Sequence, residues 1–137
     1  MVLLRCCLAA ILIIQVVFGL GSYKSVTVKG QVGCGDYEVS NVTVELWEKD
    51  RADPDDLLNT TTTDKHGKFS VYGGENEIGN IEPYLRIIHS CENGKINPKC
   101  TIKDNYKIPK QYVNGVYDMG IVSLNVVRDE HKKKCVD

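Results

Sequence analysis

The stretch VTVELWEK, residues 42–49, alternates apolar and polar side chains from Val42 through Leu46. Val42, Val44 and Leu46 fall on one side, and Thr43, Glu45 and Trp47 on the other. A period of two is what a half-buried β-strand requires, because successive side chains point to opposite faces of a sheet. The same signature lies upstream in SVTVKGQV, residues 25–32, where Val26, Val28 and Val32 oppose Thr27, Lys29 and Gln31. Between the two, GCGDYEVSN is rich in turn residues.

Working outward, RADPDD (51–56) breaks the chain, since Pro54 and its aspartates suit no strand. LLNTTTT (57–63) and KFSVYG (68–73) are strand-compatible, and Phe69 and Val71 point together. The four-residue turn Asp64-Lys65-His66-Gly67 between them predicts a β-hairpin. Residues 73–83 read as loop with room for one short helical turn at most. YLRIIHSC (84–91) and GIVSLNVV (120–127) are strong strands, the second with Val122, Leu124 and Val126 on one side. Residues 101–113 are weaker: Ile102, Tyr106 and Ile108 alternate, and Pro109 confines that piece to an edge or a strand end. No window longer than about ten residues keeps a helical period. Short strands with turn signals between them predict an all-β fold, a seven- to eight-stranded Ig-like β-sandwich.

The N-terminus reads differently. MVLLRCCLAAILIIQVVFGLG (1–21) has a basic residue at Arg5, an apolar run from Cys6 to Phe18 interrupted only by Gln15, and small residues at Gly19 and Gly21. That is the anatomy of a secretory signal peptide, cut within residues 19–22. A membrane span wants about 20 apolar residues, so a retained anchor is the weaker alternative. Residues 22–137 then form one domain, large enough for a single core. The whole chain carries 17 basic and 18 acidic residues. That balance, without a basic stripe interleaved with aromatics, argues against a nucleic-acid partner.

Export changes the meaning of the cysteines. Cys34, Cys91, Cys100 and Cys135 remain after the leader, an even set in an oxidising compartment, and disulfides are expected. Cys91 and Cys100 flank a loop with the turn signals Asn93-Gly94 and Asn97-Pro98, so the economical pairing is Cys91 with Cys100. Cys34 is then left for Cys135. Zinc spacing is missing: there is no C-x2-C pair, and His89 beside Cys91 lacks partners at ligand spacing. No cofactor or metal is expected.

Few other residues suggest chemistry. A base at His89 would need a nucleophile or activated water and an orienting partner, and the sequence names neither. His66, in a turn, and His131, in a charged tail, are expected to be solvated. Asp50, Asp53, Asp55 and Asp56 crowd one loop, as a calcium ion would require, but off the EF-hand spacing; a soluble turn that leads into the next strand is the plainer reading. Asn41 and Asn59 head N-x-[ST] sequons and are expected glycosylation sites in an exported chain. Trp47 points outward, either toward a partner or covered by Lys49 and Arg51, unless a bulge turns it inward. Residues 132–134 are three lysines, a solvated tail with a weak attraction for an anionic membrane surface.

Taken together, KGQVGCG, VELWEKDRADPDDLLNTTTTDKHGKF, EPYLRIIHSC, IPKQYV, YDMG and the closing Cys135 resemble the nematode transthyretin-like family. Thr-Asp-x-x-Gly-x-Phe alone is shared by many prealbumin-like sandwiches, whereas D-D-L-L, H-S-C and I-P-K-x-Y with the cysteine set are specific. The resemblance covers the chain from Val28 onward and implies a secreted, disulfide-bonded, transthyretin-type β-sandwich. It also implies that His89 packs or hydrogen-bonds beside the disulfide loop. Transthyretin itself carries thyroid hormone in a channel made by tetramer assembly, and enzymatic relatives hydrolyse 5-hydroxyisourate with a His and Arg set and a C-terminal Tyr-Arg-Gly-Ser signature. This chain ends HKKKCVD and contains no Tyr-Arg-Gly-Ser. The expectation is therefore an extracellular, non-enzymatic binding protein with no catalytic residues. Its ligand is a small apolar molecule, an anionic lipid or a protein, presented to residues 73–83, 53–56 or 91–100. The rivals are a divergent hydroxyisourate-type hydrolase and a structural component of an extracellular or cuticular layer.

Overall fold

The computed structural model describes residues 21–126 and 130–137. The expected leader, 1–21, lies outside them apart from Gly21. The strands are β1 Ser22–Cys34, β2 Tyr37–Glu38, β3 Thr43–Glu48, β4 Asp56–Thr62, β5 Lys68–Glu77, β6 Pro83–His89, β7 Cys91–Glu92, β8 Lys95–Ile96, β9 Cys100–Lys107, β10 Val116–Ser123 and β11 His131–Cys135. A 3-10 turn, Lys110–Tyr112, follows Pro109. Among the described residues no helix is long and apolar enough to cross a membrane.

Two sheets form the sandwich. In the smaller, β1 pairs in parallel with β10 and antiparallel with β5 and β2; the larger runs β11-β9-β6-β3-β4. The inward phases read from the sequence meet between them. Val26, Val28, Val32 and Val71 face Val44, Leu46, Leu85 and Ile87, all buried, in one continuous core. Burying such side chains supplies about 1.5–3 kcal/mol each, before the entropy of ordering the chain is set against it.

Several expectations change. The stretches 57–63 and 68–73 do not form a hairpin: β4 pairs with β3 and β5 with β1, so the turn at 64–67 carries the chain from one sheet to the other. The turn itself is built as expected. The Asp64 carboxylate accepts the N–H groups of His66 and Lys68, and Gly67 takes φ +75° where an added Cβ would lie 2.6 Å from the Val32 carbonyl oxygen. The expected loop at 73–83 is strand as far as Glu77, because β1 starts at Ser22 and offers a partner register of Ser22↔Glu77 through Val26↔Gly73. Polar residues there hid the strand. The strand expected over 120–127 is β10, which begins at Val116 and ends at Ser123. The lysine run is not a tail: 132–134 lie within β11, paired to β9, and Lys133 donates to Glu92 at 2.8 Å.

The disulfide pairing is corrected as well. Cys34 is bonded to Cys91, and Cys100 to Cys135. Asn93 and Gly94 both take positive φ and close the β7–β8 hairpin. That hairpin lies so close to the end of β1 that a Cβ added at Gly35 would sit 2.7 Å from the Gly94 carbonyl oxygen. Cys91 therefore faces Cys34 across the core, while Cys100 is the direct cross-strand partner of Cys135. Economy of loop length misled because it ignored that new edge strand.

Candidate binding face

The outward phase of the larger sheet gathers one polar and aromatic cluster. The register sets Trp47 beside Tyr84, Glu45 beside Arg86, Arg86 beside Asn105 and Tyr84 beside Lys107. Such cross-strand neighbours are close enough for their side chains to touch. The Trp47 and Tyr84 rings stack, 6.4 Å between centroids and 7° between planes. The Arg86 guanidinium carbon lies 5.0 Å from the Trp47 centroid and 5.9 Å from that of Tyr84. Each such cation–π contact contributes about 0.5–1 kcal/mol at an exposed site. Trp47 is thus outward and half-buried, but its cover is Arg86 rather than Lys49 or Arg51; Arg51 pairs with Glu82 at 3.0 Å. The register shift between Leu46 and Trp47 does not turn the indole inward.

Hydrogen bonds fix the cluster. Arg86 Nε donates to Asn105 Oδ1 (3.0 Å), Asn105 Nδ2 to Glu130 Oε2 (3.1 Å), and Trp47 Nε1 to Glu45 Oε1 (3.2 Å). Tyr84 O–H donates to Asp55 Oδ2 at 2.6 Å, and the Asp50 N–H to Asp55 Oδ1 at 3.0 Å. Together these two donors hold the Asp55 carboxyl below its ordinary range. Partial burial and the same bond push the Tyr84 hydroxyl well above its ordinary value, so it remains a donor. The Asp50 carboxylate accepts from Ala52 and Asp53 N–H. The acidic loop is therefore a turn capped by its own backbone, with Asp50 Oδ1 and both Asp55 oxygens already engaged.

Beside this cluster lies a half-open cleft of about 950 Å³, bordered by Lys49, Arg86, Lys107, Lys110, Tyr117 and Met119 among others. A smaller hollow of about 450 Å³ shares Arg86, Asn105 and Glu130 and adds Lys103, His131 and Lys132. The lining carboxylates are already engaged, Glu82 by Arg51, Asp55 by Tyr84 and Glu130 by Asn105. Lysines and Arg86 outnumber them, so the face is cationic on a chain of net charge −1. Of the three stretches expected to recognise ligand, 53–56 borders this cleft through Asp55 and 73–83 through Glu82 and Pro83.

The histidines divide. His66 is exposed in its turn, 3.7 Å from Glu38. His89 is buried: its Nε2 lies 2.7 Å from Asp104 Oδ2, and its Nδ1 accepts the Cys91 N–H at 3.0 Å. A ring nitrogen that accepts a backbone N–H carries no proton, so His89 is the neutral Nε2–H tautomer and both nitrogens are committed. His131 is not solvated as expected; its Nδ1 bonds the other oxygen of Asp104, which is fully buried. The edge strand β11, unseen in the sequence, brings it there. Asp104 itself was overlooked, although it interrupts the apolar phase Ile102, Tyr106, Ile108 at an inward position. Tyr84 and Arg86 stand in the outward phase of 84–91, which is the signal that could have found them.

The sequons are placed unequally. Asn41 is exposed in a turn with φ +58° ahead of β3. Asn59 is exposed on the edge strand β4, where its Nδ2 donates to the Tyr72 carbonyl at 2.7 Å and so ties β4 to β5.

The fold and this face define a disulfide-braced, all-β sandwich domain with aromatic and cationic side chains on one outer surface. The chain belongs to the transthyretin-like family: the family model described as "TTR-52: Transthyretin-like family" matches residues 29–109. It is similar to Transthyretin-like protein 16 of Caenorhabditis elegans, 46% identical over 82% of this chain and 83% of that one. It is also similar to Transthyretin-like protein 46 (37%, over 76% and 62%) and Transthyretin-like protein 5 (36%, over 77% and 79%) of the same nematode. Among solved structures, a 9R-lipoxygenase from Cyanothece superposes with a TM-score of 0.46 and 20% identity over 74% of this chain and 16% of that one, too loose a likeness to bear on either fold or function.

Proposed function

We propose that the protein is exported and acts outside the cell as a non-enzymatic binding protein, taking a phosphate- or carboxylate-bearing ligand on the Arg86 face. The observation that carries this reading is the cationic surplus around the Trp47–Tyr84–Arg86 stack, beside a cleft with the volume of a small-molecule site. Rigid aromatics with an immobilised guanidinium suit a planar anionic group, which Arg can hold through two parallel N–H donors. The leader-like residues 1–21 and the two disulfides support export. Asn41 and Asn59 are the proposed glycan acceptors. Against the hydrolase alternative stand the committed nitrogens of His89 and the missing Tyr-Arg-Gly-Ser segment.

The test is co-sedimentation of the purified protein with phosphatidylcholine vesicles, with and without phosphatidylglycerol. Capture by the anionic vesicles alone, weakened by salt and reduced about fivefold by Arg86→Ala, is expected, since each basic residue near such a surface contributes about 1 kcal/mol. Capture by neither vesicle would point to a small apolar ligand or a protein partner and overturn the anionic reading. Turnover of hydroxyisourate would overturn the non-enzymatic one.

A further inference from the structure

In the inward phase of β3, after Val44 and Leu46, stands Glu48. An acid at a core position demands a partner, because an unpaired carboxylate buried away from water costs several kcal/mol. Glu48 is 4% exposed, and its Oε2 is buried with no hydrogen-bond partner among the described residues. Opposite it, on the other sheet, Glu75 and Glu77 lie two residues apart on β5 and share one face. Glu75 Oε2 is likewise buried without a partner. One carboxylate oxygen from each of the three residues lies within 4.8 Å of the others. Lys24 stands in register with Glu75, yet among the described residues it forms no ion pair with any of them.

Three carboxylates crowded together away from water either take up protons or hold a cation between them. Ligand oxygens about 2.3–2.6 Å from a calcium ion are at most about 5 Å apart, so the spacing suits one without moving either strand. Carboxylates alone favour a hard cation over zinc, whose sites usually include nitrogen or sulfur ligands. Three bidentate carboxylates would supply about six of the six to eight oxygens calcium requires, whereas magnesium wants a tighter octahedron and keeps its waters. We propose that Glu48, Glu75 and Glu77 bind a calcium ion that clasps the two sheets together at this end of the sandwich. The site is separate from the acidic loop at 50–56 and from the Arg86 face.

The experiment is thermal melting of protein expressed from the full chain, in EGTA, calcium or magnesium, with calorimetric titration of calcium. Calcium at about a hundred times its dissociation constant should raise Tm by roughly 10 °C. Glu48→Gln should abolish that rise while leaving Tm in EGTA unchanged or higher, since it removes one of the repelling charges. Glu77→Gln, at a less buried position, should fold normally and weaken calcium at least tenfold; it decides the matter if the Glu48 variant is unstable. No rise in the parent protein, a rise that survives both substitutions, or an equal rise with magnesium would overturn the calcium assignment.

Discussion

Two buried carboxylates in one small core are treated in opposite ways. Asp104 is fully enclosed and each of its oxygens meets a histidine ring nitrogen, from β6 on one side and β11 on the other. Glu48 is nearly as enclosed; among the described residues its Oε2 has no hydrogen-bond partner, and its carboxylate lies within 4.8 Å of those of Glu75 and Glu77. The first charge is closed within the protein and behaves as a structural clasp between three strands of one sheet. The second is open, and spans the two sheets. A buried charge tells little about function until its partners are counted, and here the count separates architecture from a candidate site.

The largest test of that contrast is substitution of the two acids. Asp104→Ala removes the acceptor of His89 and His131 and leaves a buried N–H stranded; a loss of about 3–5 kcal/mol in denaturant unfolding is expected. Glu48→Gln in EGTA should cost nothing or stabilise, and equal losses at both positions would erase the distinction. Next come the disulfides. Removing Cys34–Cys91 should cost about 2–4 kcal/mol, and more than removing Cys100–Cys135, because it closes 57 residues rather than 35 and both of its sulfurs are buried. The Cys91 N–H also orients His89, so losses from the Cys34–Cys91 and Asp104 variants should fail to add, which a double-mutant cycle in urea measures.

The smallest effect belongs to the outer face. Tyr84→Phe deletes the Asp55 bond, and a loss of about 1 kcal/mol is expected. Its pH dependence has a definite sign. Asp55 titrates lower in the folded protein than in the unfolded chain, so its stabilisation is complete above the unfolded carboxylate value of 3.8 and fades as pH falls through the lowered one. Acid melts of the parent should therefore lose this increment below that range, and those of Tyr84→Phe should lose less. Parallel acid profiles would show that Tyr84 does not govern Asp55.

Much of the fold was legible because most of its strands alternate apolar and polar residues. Residues 25–32, 42–49 and 84–91 each announce an inner and an outer face, and the core assembles from the inner ones. What escaped was polar sequence held as strand by a neighbour. Glu75 to Glu77 pair with the start of β1, and the lysines of β11 pair with β9; neither has an apolar phase to betray it. The cysteine pairing failed for that reason, since Cys135 meets Cys100 only through the unseen β11. The candidate sites were partly in view. Trp47 was rightly placed outward, but Arg86 and Tyr84 became partners only through register, and register depends on which strands pair. Asp104 and Glu48 were readable as acids standing in an apolar phase, a signal that deserves as much weight as any motif.

Trp47 is the sole tryptophan and lies directly beneath Arg86, so its fluorescence reports on the proposed binding face without a label. The decisive measurement is its emission during titration with vesicles of phosphatidylcholine alone and of phosphatidylcholine with phosphatidylglycerol. The expected result is a saturable change with the anionic vesicles only, reversed by salt. Binding that leaves the emission unmoved, or an identical response to neutral vesicles, would contradict a cationic ligand face at Arg86.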